Sequence, residues 1–212
     1  MFKPMSRRPR DPSATRSAVL QASFDEFYRN GFQGGSLNRI VDRAELTKGA
    51  LFHHFPDKAA LAIALVDERL FPAMETRWFQ PLQETADPVT TLRDLIRGHV
   101  ARIEKEGPEG FLFHGCPIGN LATEMAPLDD VLRGKLDALY TAWREAISGA
   151  LRRGQKAGIV HASIDPEAEA VFVVASLTGT ATQAKTARDF RIFQLSLKAL
   201  EGYLETLRNP LK

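Results

Sequence analysis

Residues 37–55, LNRIVDRAELTKGALFHHF, decide the fold. Leu37, Ile40, Val41 and Ala44 recur on one face of a short helix, and Ser36 stands where a cap is needed. Glu45–Leu46 is a tight connection, and Thr47 reads as the N-cap of a second short helix running to about Phe52. Two short helices joined by so brief a turn have the layout of a helix-turn-helix, whose second helix can enter the major groove of DNA. That second helix carries Thr47, Lys48, His53 and His54, with Lys58 just beyond it, groups suited to phosphate oxygens and base edges. Gly49 and Ala50 are small and let the helix axis approach a partner closely.

Working outward, the same 3.6-residue period appears almost everywhere, and no convincing period-2 strand appears. Leu20, Phe24, Phe27 and Tyr28 predict a helix that Ser13 or Thr15 can cap and Gly31 ends. Asp57 to about Leu70 reads as helical, with Leu61 and Leu65 inward. Leu92, Leu95, Ile96, His99, Val100 and Ile103 form the next stripe, and Leu132, Leu136, Leu139, Tyr140, Trp143, Ile147 and Leu151 a longer one. Asp165–Pro166 is a helix start, an N-cap followed by proline at the first position. A last helix spans about Asp189 to Leu207. The expectation is an all-α chain of about nine helices. A basic, disordered arm at 1–12 precedes a helix-turn-helix domain at 13–58 and a larger helical bundle at 59–212.

Composition bounds the function. The chain has 212 residues, with 28 Lys+Arg against 26 Asp+Glu for a net charge of +2. That near-neutral total hides two unlike parts: residues 1–58 hold 10 basic and 6 acidic side chains, and residues 59–212 hold 18 and 20. The basic excess lies on the N-terminal arm together with the helix-turn-helix, where a nucleic-acid partner needs it. One cysteine, Cys116, excludes an intramolecular disulfide and a multi-cysteine zinc site. No apolar run follows the basic N-terminus as a secretory signal requires, and none reaches the roughly 18–20 residues of a membrane span, so a cytoplasmic protein is expected. The sequence lacks GxSxG, GxxxxGK[ST] and GxGxxG motifs, and His53–His54 lacks HExxH spacing, so no enzyme is expected. His114, His99 and Cys116 have no diagnostic ligand spacing, and neither a metal nor another cofactor is expected.

The segment from Thr15 to Leu65 resembles the N-terminal domain of TetR-family transcriptional repressors. The likeness is carried by Asn30–Gly31–Phe32, by Ser36 opening the helix that holds Ile40 and Val41, and above all by LTKGALFHHF at 46–55 followed by Asp57–Lys58 and Leu61. The resemblance implies a three-helix DNA-binding domain and a C-terminal domain that binds a small effector and dimerises. By position, the family's DNA contacts fall on Ser36, Asn38, Thr47, Lys48, Gly49, Phe52, His53, His54 and Lys58. Two positions depart from the family pattern. Phe52 stands where tyrosine is usual and forfeits a phosphate hydrogen bond. Glu45 stands where glycine is usual in the turn, at a cost of roughly 1 kcal/mol for a left-handed non-glycine residue.

For the C-terminal half, the resemblance implies an effector pocket. Its candidate residues are His99, Ile103, Phe111, Phe113, His114, Cys116, Tyr140 and Trp143, rings and polar groups set on apolar faces. A small apolar or aromatic effector is the expectation. A thiol-sensing regulator using Cys116 is the alternative, and a helical adaptor protein without DNA binding is the reading from another class. The helix from Asp165 is apolar nearly all round and rich in small residues, so it is buried on more than one side. With the last helix it suits a four-helix homodimer interface, expected at Phe172, Ala175, Thr178, Gly179, Thr182, Phe193, Leu197, Leu200 and Leu204. A two-fold dimer implies a near-palindromic operator.

Overall fold

The computed structural model describes residues 11–210. Positions 1–10 of the expected arm lie outside the described residues, but Asp11 and Pro12 already belong to structure. Asp11 caps the first helix, accepting from the Ser13 amide at 3.0 Å, and Pro12 opens it. The cap thus sits earlier than Ser13 or Thr15, because an aspartate followed by proline both accepts the orphan amide and presets the first helical φ.

The chain divides into two compact units between Leu65 and Val66, later than the expected 58/59 boundary. The reason is α4 (Lys58–Leu65), which packs on α1 (Pro12–Gly34) and buries Leu61, Ala62 and Leu65. The first unit also holds α2 (Leu37–Arg43) and α3 (Lys48–His54). Its core is Val19, Leu20 and Phe27 from α1, Ile40 and Val41 from α2, Leu51 from α3 and Phe55 after it. At Gly31, φ is +74° and the helical path of α1 breaks, as the glycine allows.

The second unit begins with helix at Val66 and stays helical beyond Leu70, where the sequence reading stops. A π turn over Val66–Leu70, α5 (Phe71–Met74), a second π turn over Glu75–Phe79 and α6 (Gln80–Glu84) follow without a break. Pro72 and Pro81 conceal this stretch in the sequence, since an interior proline clashes with the carbonyl four residues back. Those carbonyls belong to Glu68 and Arg77, and both lie in the wider π turns. The buried stripe Val66, Leu70, Met74, Trp78 and Leu82 repeats every four residues. In an α-helix of 3.6 residues per turn that stripe would drift round the axis; the two π turns hold it on one side.

Six more helices complete this unit: α7 (Pro88–Glu106), α8 (Pro108–His114), α9 (Pro117–Met125), α10 (Asp130–Lys156), α11 (Pro166–Ala187) and α12 (Phe190–Thr206). α10 is the spine, with Leu132, Leu136, Leu139, Trp143, Ile147 and Leu151 all buried. At Gly154 a Cβ would come within 2.7 Å of Pro88 and Val160, so only glycine lets α10 approach them. The end of the chain is stitched back: His161 donates to the Leu207 carbonyl at 3.0 Å, and Arg208 pairs with Asp87, the cap of α7, at 2.9 Å. Burial would raise Asp87, but hydrogen bonds from Arg208 and Thr90 outweigh it and hold the carboxyl below its ordinary value. Among the described residues the architecture is all-α, a helix-turn-helix unit followed by a helical bundle.

Candidate nucleic-acid interface

α3 is fastened by one side. Leu51 is fully buried between α1 and α2, and Phe55 closes the end of the helix. Thr47 caps it, its hydroxyl accepting from the Ala50 amide at 3.2 Å, and the Thr47 O–H remains able to donate outward. With Leu51 held inside, Thr47, Lys48, Gly49, Phe52 and His53 are exposed, as the sequence reading expects. Phe52 is 46% exposed, a large ring left in solvent on the face where a partner would cover it. A Cβ on Gly49 would meet only the Thr47 hydroxyl at 3.9 Å, so nothing inside the unit requires glycine there. Its smallness therefore matters only toward the outside.

The turn before α3 confirms the unusual conformation at Glu45, whose φ is +52°. Its amide donates to the Asp42 carbonyl at 3.1 Å, and the Leu46 amide reaches back to Val41 at 3.0 Å. On α2, Asn38 is exposed, while half-buried Ser36 caps the helix. Two expected contacts are drawn inward. Lys58 donates to the Gln33 carbonyl at 3.1 Å and lies 4.8 Å from the Phe32 ring centroid, tying α4 to the end of α1. His54 is half-buried, and its carbonyl accepts from Arg16 at 3.4 Å.

Arg16, Glu26 and Arg39 escape the sequence reading. Arg16 lies over the Phe55 ring at 4.4 Å while it holds the C-terminal end of α3. Glu26 is a fully buried carboxylate on α1. Its Oε1 accepts from Arg39 Nε at 2.7 Å and from the Ser36 amide at 3.0 Å, and Arg39 also donates to the Gly34 carbonyl at 2.8 Å. Burial pushes Glu26 up, but the hydrogen bonds from Arg39 and Ser36, with the charges of Arg39 and Arg43, hold it below the ordinary glutamate value. One carboxylate thus fixes where α2 begins. Position 26 lies on the apolar face of α1, and nothing in the period marks a charge there.

The C-terminal unit gathers rings from several elements. Trp78 on the second π turn lies 5.3 Å from Trp143 on α10 and 6.0 Å from His99 on α7, centroid to centroid. His99 lies 5.7 Å from Phe193 on α12, which lies 4.7 Å from Phe111 on α8 and 5.6 Å from Phe190. Of the expected pocket residues, His99, Phe111 and Trp143 meet here. Cys116 and Tyr140 form a second group near Gly119, where a Cβ would meet both Cys116 Sγ and Tyr140 Oη at 3.8 Å. Burial pushes the Cys116 thiol up, which works against a reactive thiolate, and burial with the neighbouring Cys116 pushes Tyr140 to about 12. The His114 carbonyl accepts from Asn120 beside that group. Ile103 is buried in the core. Phe113 is a correction: it is 54% exposed and lies outward beneath Arg188 at 4.7 Å. Trp78 and Phe190 are the rings that sequence reasoning missed, Trp78 because its helix was hidden by prolines. Among the described residues, no group of three or more His, Cys, Asp or Glu side chains gathers as metal ligands do.

Residues 19–65 match the family model described as bacterial regulatory proteins, tetR family, and residues 88–200 match the tetracyclin repressor-like C-terminal domain. The chain belongs to the TetR family. It is 27% identical over 191 residues to the HTH-type transcriptional repressor DhaR of a Mycobacterium species, covering 87% of each chain. It is 29% identical over 188 residues to the transcriptional regulator AcuR of Cereibacter sphaeroides, covering 86% of this chain and 83% of that one. A solved TetR-family regulator from Cytophaga hutchinsonii shares the fold with a TM-score of 0.80 at 20% identity, over 97% of this chain and 100% of that one.

In this TetR-family chain His99 has a measurable signature. Burial, then the charges of Arg102 and Arg77, lower it from 6.5 to about 4. A histidine lowered in the folded state stabilises fully above 6.5, and that stability drains away as pH falls toward 4. From pH 7 to about pH 5 the fold should lose about 2 kcal/mol on this account. Urea melts at fixed protein concentration check it: His99→Gln should flatten the slope over that interval, and an unchanged slope would show that His99 is not the group responsible.

Proposed function

We propose that this TetR-family repressor binds a near-palindromic operator as a homodimer in the cytoplasm and releases it when a small apolar or aromatic effector binds the C-terminal unit. The observation that carries the DNA reading is the solvent-facing side of α3, with Thr47, Lys48, Gly49, Phe52 and His53 exposed around a buried Leu51. Ser36 and Asn38 at the start of α2 complete the contact set; His54 and Lys58 take part only insofar as their inward ties allow. Among the described residues, no helix is long and apolar enough to cross a membrane.

The dimer reading rests on α11 and α12. Phe172, Ala175, Ser176, Gly179, Ser196 and Tyr203 border an open groove of about 470 Å³ between the two helices. Phe172 is 47% exposed and stacks edge-on against Tyr203 at 5.0 Å, more aromatic surface than an unpartnered helix pair commonly shows. A second copy of the same face, packed two-fold, covers it. Part of the expected interface is drawn inward. Phe193, Leu197 and Leu204 are buried in the chain's own core because that stripe of α12 packs inward, leaving Leu200 alone of the four at the groove. Thr178 donates back to the Val174 carbonyl at 2.9 Å, and exposed Thr182 to the Thr178 carbonyl at 3.2 Å.

The test is gel retardation on DNA upstream of the gene at several salt concentrations. Specific retention should fall steeply with salt, and Lys48→Ala should weaken it at least about tenfold while the dimer persists. Absence of retention at low salt by dimeric protein would leave the helical adaptor reading; loss of the dimer in Lys48→Ala would mean that Lys48 faces the partner subunit instead.

A further inference from the structure

On α3 the large ring left in water is Phe52. Leu51 and Phe55, 0% and 2% exposed, fasten the helix from within, whereas Phe52 leaves 46% of its surface outside. Thr47, Lys48 and His53 are exposed around it and can donate to phosphate and base oxygens. The phenyl ring has no atom that can do so. Gly49 stands one turn earlier, at i and i+3 on the same face. Helical side chains lean toward the N-terminus, so Phe52 leans over the turn that Gly49 occupies. Gly49 is exposed, and a Cβ there would meet only Thr47 Oγ1, at 3.9 Å. The two residues make a small apolar step, an aromatic wall beside bare backbone, set among hydroxyl, ammonium and imidazole groups.

Against phosphate such a step displaces water from the charged oxygens and gives no hydrogen bond in return. The major groove presents one apolar group on its base edges, the 5-methyl of thymine. We propose that Phe52, with Gly49 beneath it, is a specificity-determining residue that reads the 5-methyl group of a thymine in the major groove. This rests on the DNA reading above and narrows it to sites with a thymine at a fixed position. Deoxyuridine pairs with adenine as thymine does and keeps the O4 acceptor, but it lacks that methyl. One carbon atom therefore separates apolar readout from hydrogen-bond readout.

The test uses the full chain and a duplex that the chain itself selects from a random pool by gel retardation at low salt. Each thymine of the selected site is then replaced singly by deoxyuridine. At one or more positions the replacement should weaken retention by about threefold to tenfold. Phe52→Ala should bind the thymine site more weakly and show no further loss with deoxyuridine at those positions, because the partner of the methyl is already gone. Its salt dependence should match that of the native chain, since no charge is removed. Gly49→Ala puts a protein methyl where the DNA methyl would sit, so it should weaken the thymine site more than its deoxyuridine counterpart; this variant decides the matter if Phe52→Ala retains nothing. The proposal is overturned if no fixed thymine is selected, if deoxyuridine at every thymine leaves retention unchanged, if Phe52→Ala stays as sensitive to the methyl as the native chain, or if Gly49→Ala weakens both sites alike. Those results leave the DNA reading standing. A chain that retains no duplex from the pool overturns the DNA reading and the proposal with it.

Discussion

Arg39→Met should lower the melting temperature of the helix-turn-helix unit by roughly 10 °C at pH 7. The loss comes from Glu26 rather than from the half-exposed arginine. With Arg39 gone, a carboxylate with no exposed side-chain surface keeps the Ser36 amide as its remaining hydrogen-bond partner. An uncompensated buried charge is among the most destabilising single changes in a protein. The pH response is the sharper test. In the native chain Glu26 lies below its ordinary value of 4.5, so its contribution is present above 4.5 and lost as pH falls through the lowered value. In Arg39→Met only the Ser36 amide and the charge of Arg43 still oppose burial, so the carboxyl rises relative to the native chain and the variant loses less stability on acidification than the native chain does. Thermal melts by circular dichroism between pH 7 and about pH 4 distinguish the two. The double variant Glu26→Leu/Arg39→Met should recover most of the loss, since apolar packing can replace a buried pair. A melting temperature unaffected by Arg39→Met would mean that Glu26 is solvated and does not set the start of α2.

Gly179→Arg should turn the proposed dimer into a monomer and abolish the proposed operator retention at concentrations where the native chain binds. Gly179 borders the groove between α11 and α12, and a Cβ there meets nothing within 4 Å, so the protomer itself tolerates a side chain. An arginine on that face instead presents two charges to one another across a two-fold axis, where like-charge contact is strongly unfavourable. Sedimentation equilibrium reads the result directly. A variant that remains a tight dimer would place the interface elsewhere, and unchanged melting of the isolated subunit is the control for folding.

Much of this was legible in the residues, and the reasons are local. The helix-turn-helix was readable because a serine cap, a threonine cap and a 3.6-residue stripe agree over a short span. The start of α11 was readable because Asp165–Pro166 combines a cap with the one proline position a helix welcomes. What stayed hidden depends on partners far along the chain. Glu26 meets Arg39 through the packing of α1 on α2, and no periodicity announces a carboxylate on an apolar face. Phe193, Leu197 and Leu204 look identical in sequence whether their stripe faces a second subunit or the chain's own α7 and α11; only burial separates the two. Likewise, Phe111 and Phe113 differ by two positions on one short helix, which sends one ring into the cluster and the other to solvent.

The two π turns between Val66 and Phe79 carry a consequence of their own. Each stores surplus chain as extra circumference, so the helix is geared: tightening one π turn to α geometry rotates everything beyond it by about 100°, the angular step of one residue. Trp78 sits on that rotor, in ring contact with both His99 and Trp143. Its helix cannot rewind while those contacts last, nor can the contacts survive the rewinding. Winding number and ring stacking in this unit are therefore a single variable, read at either end.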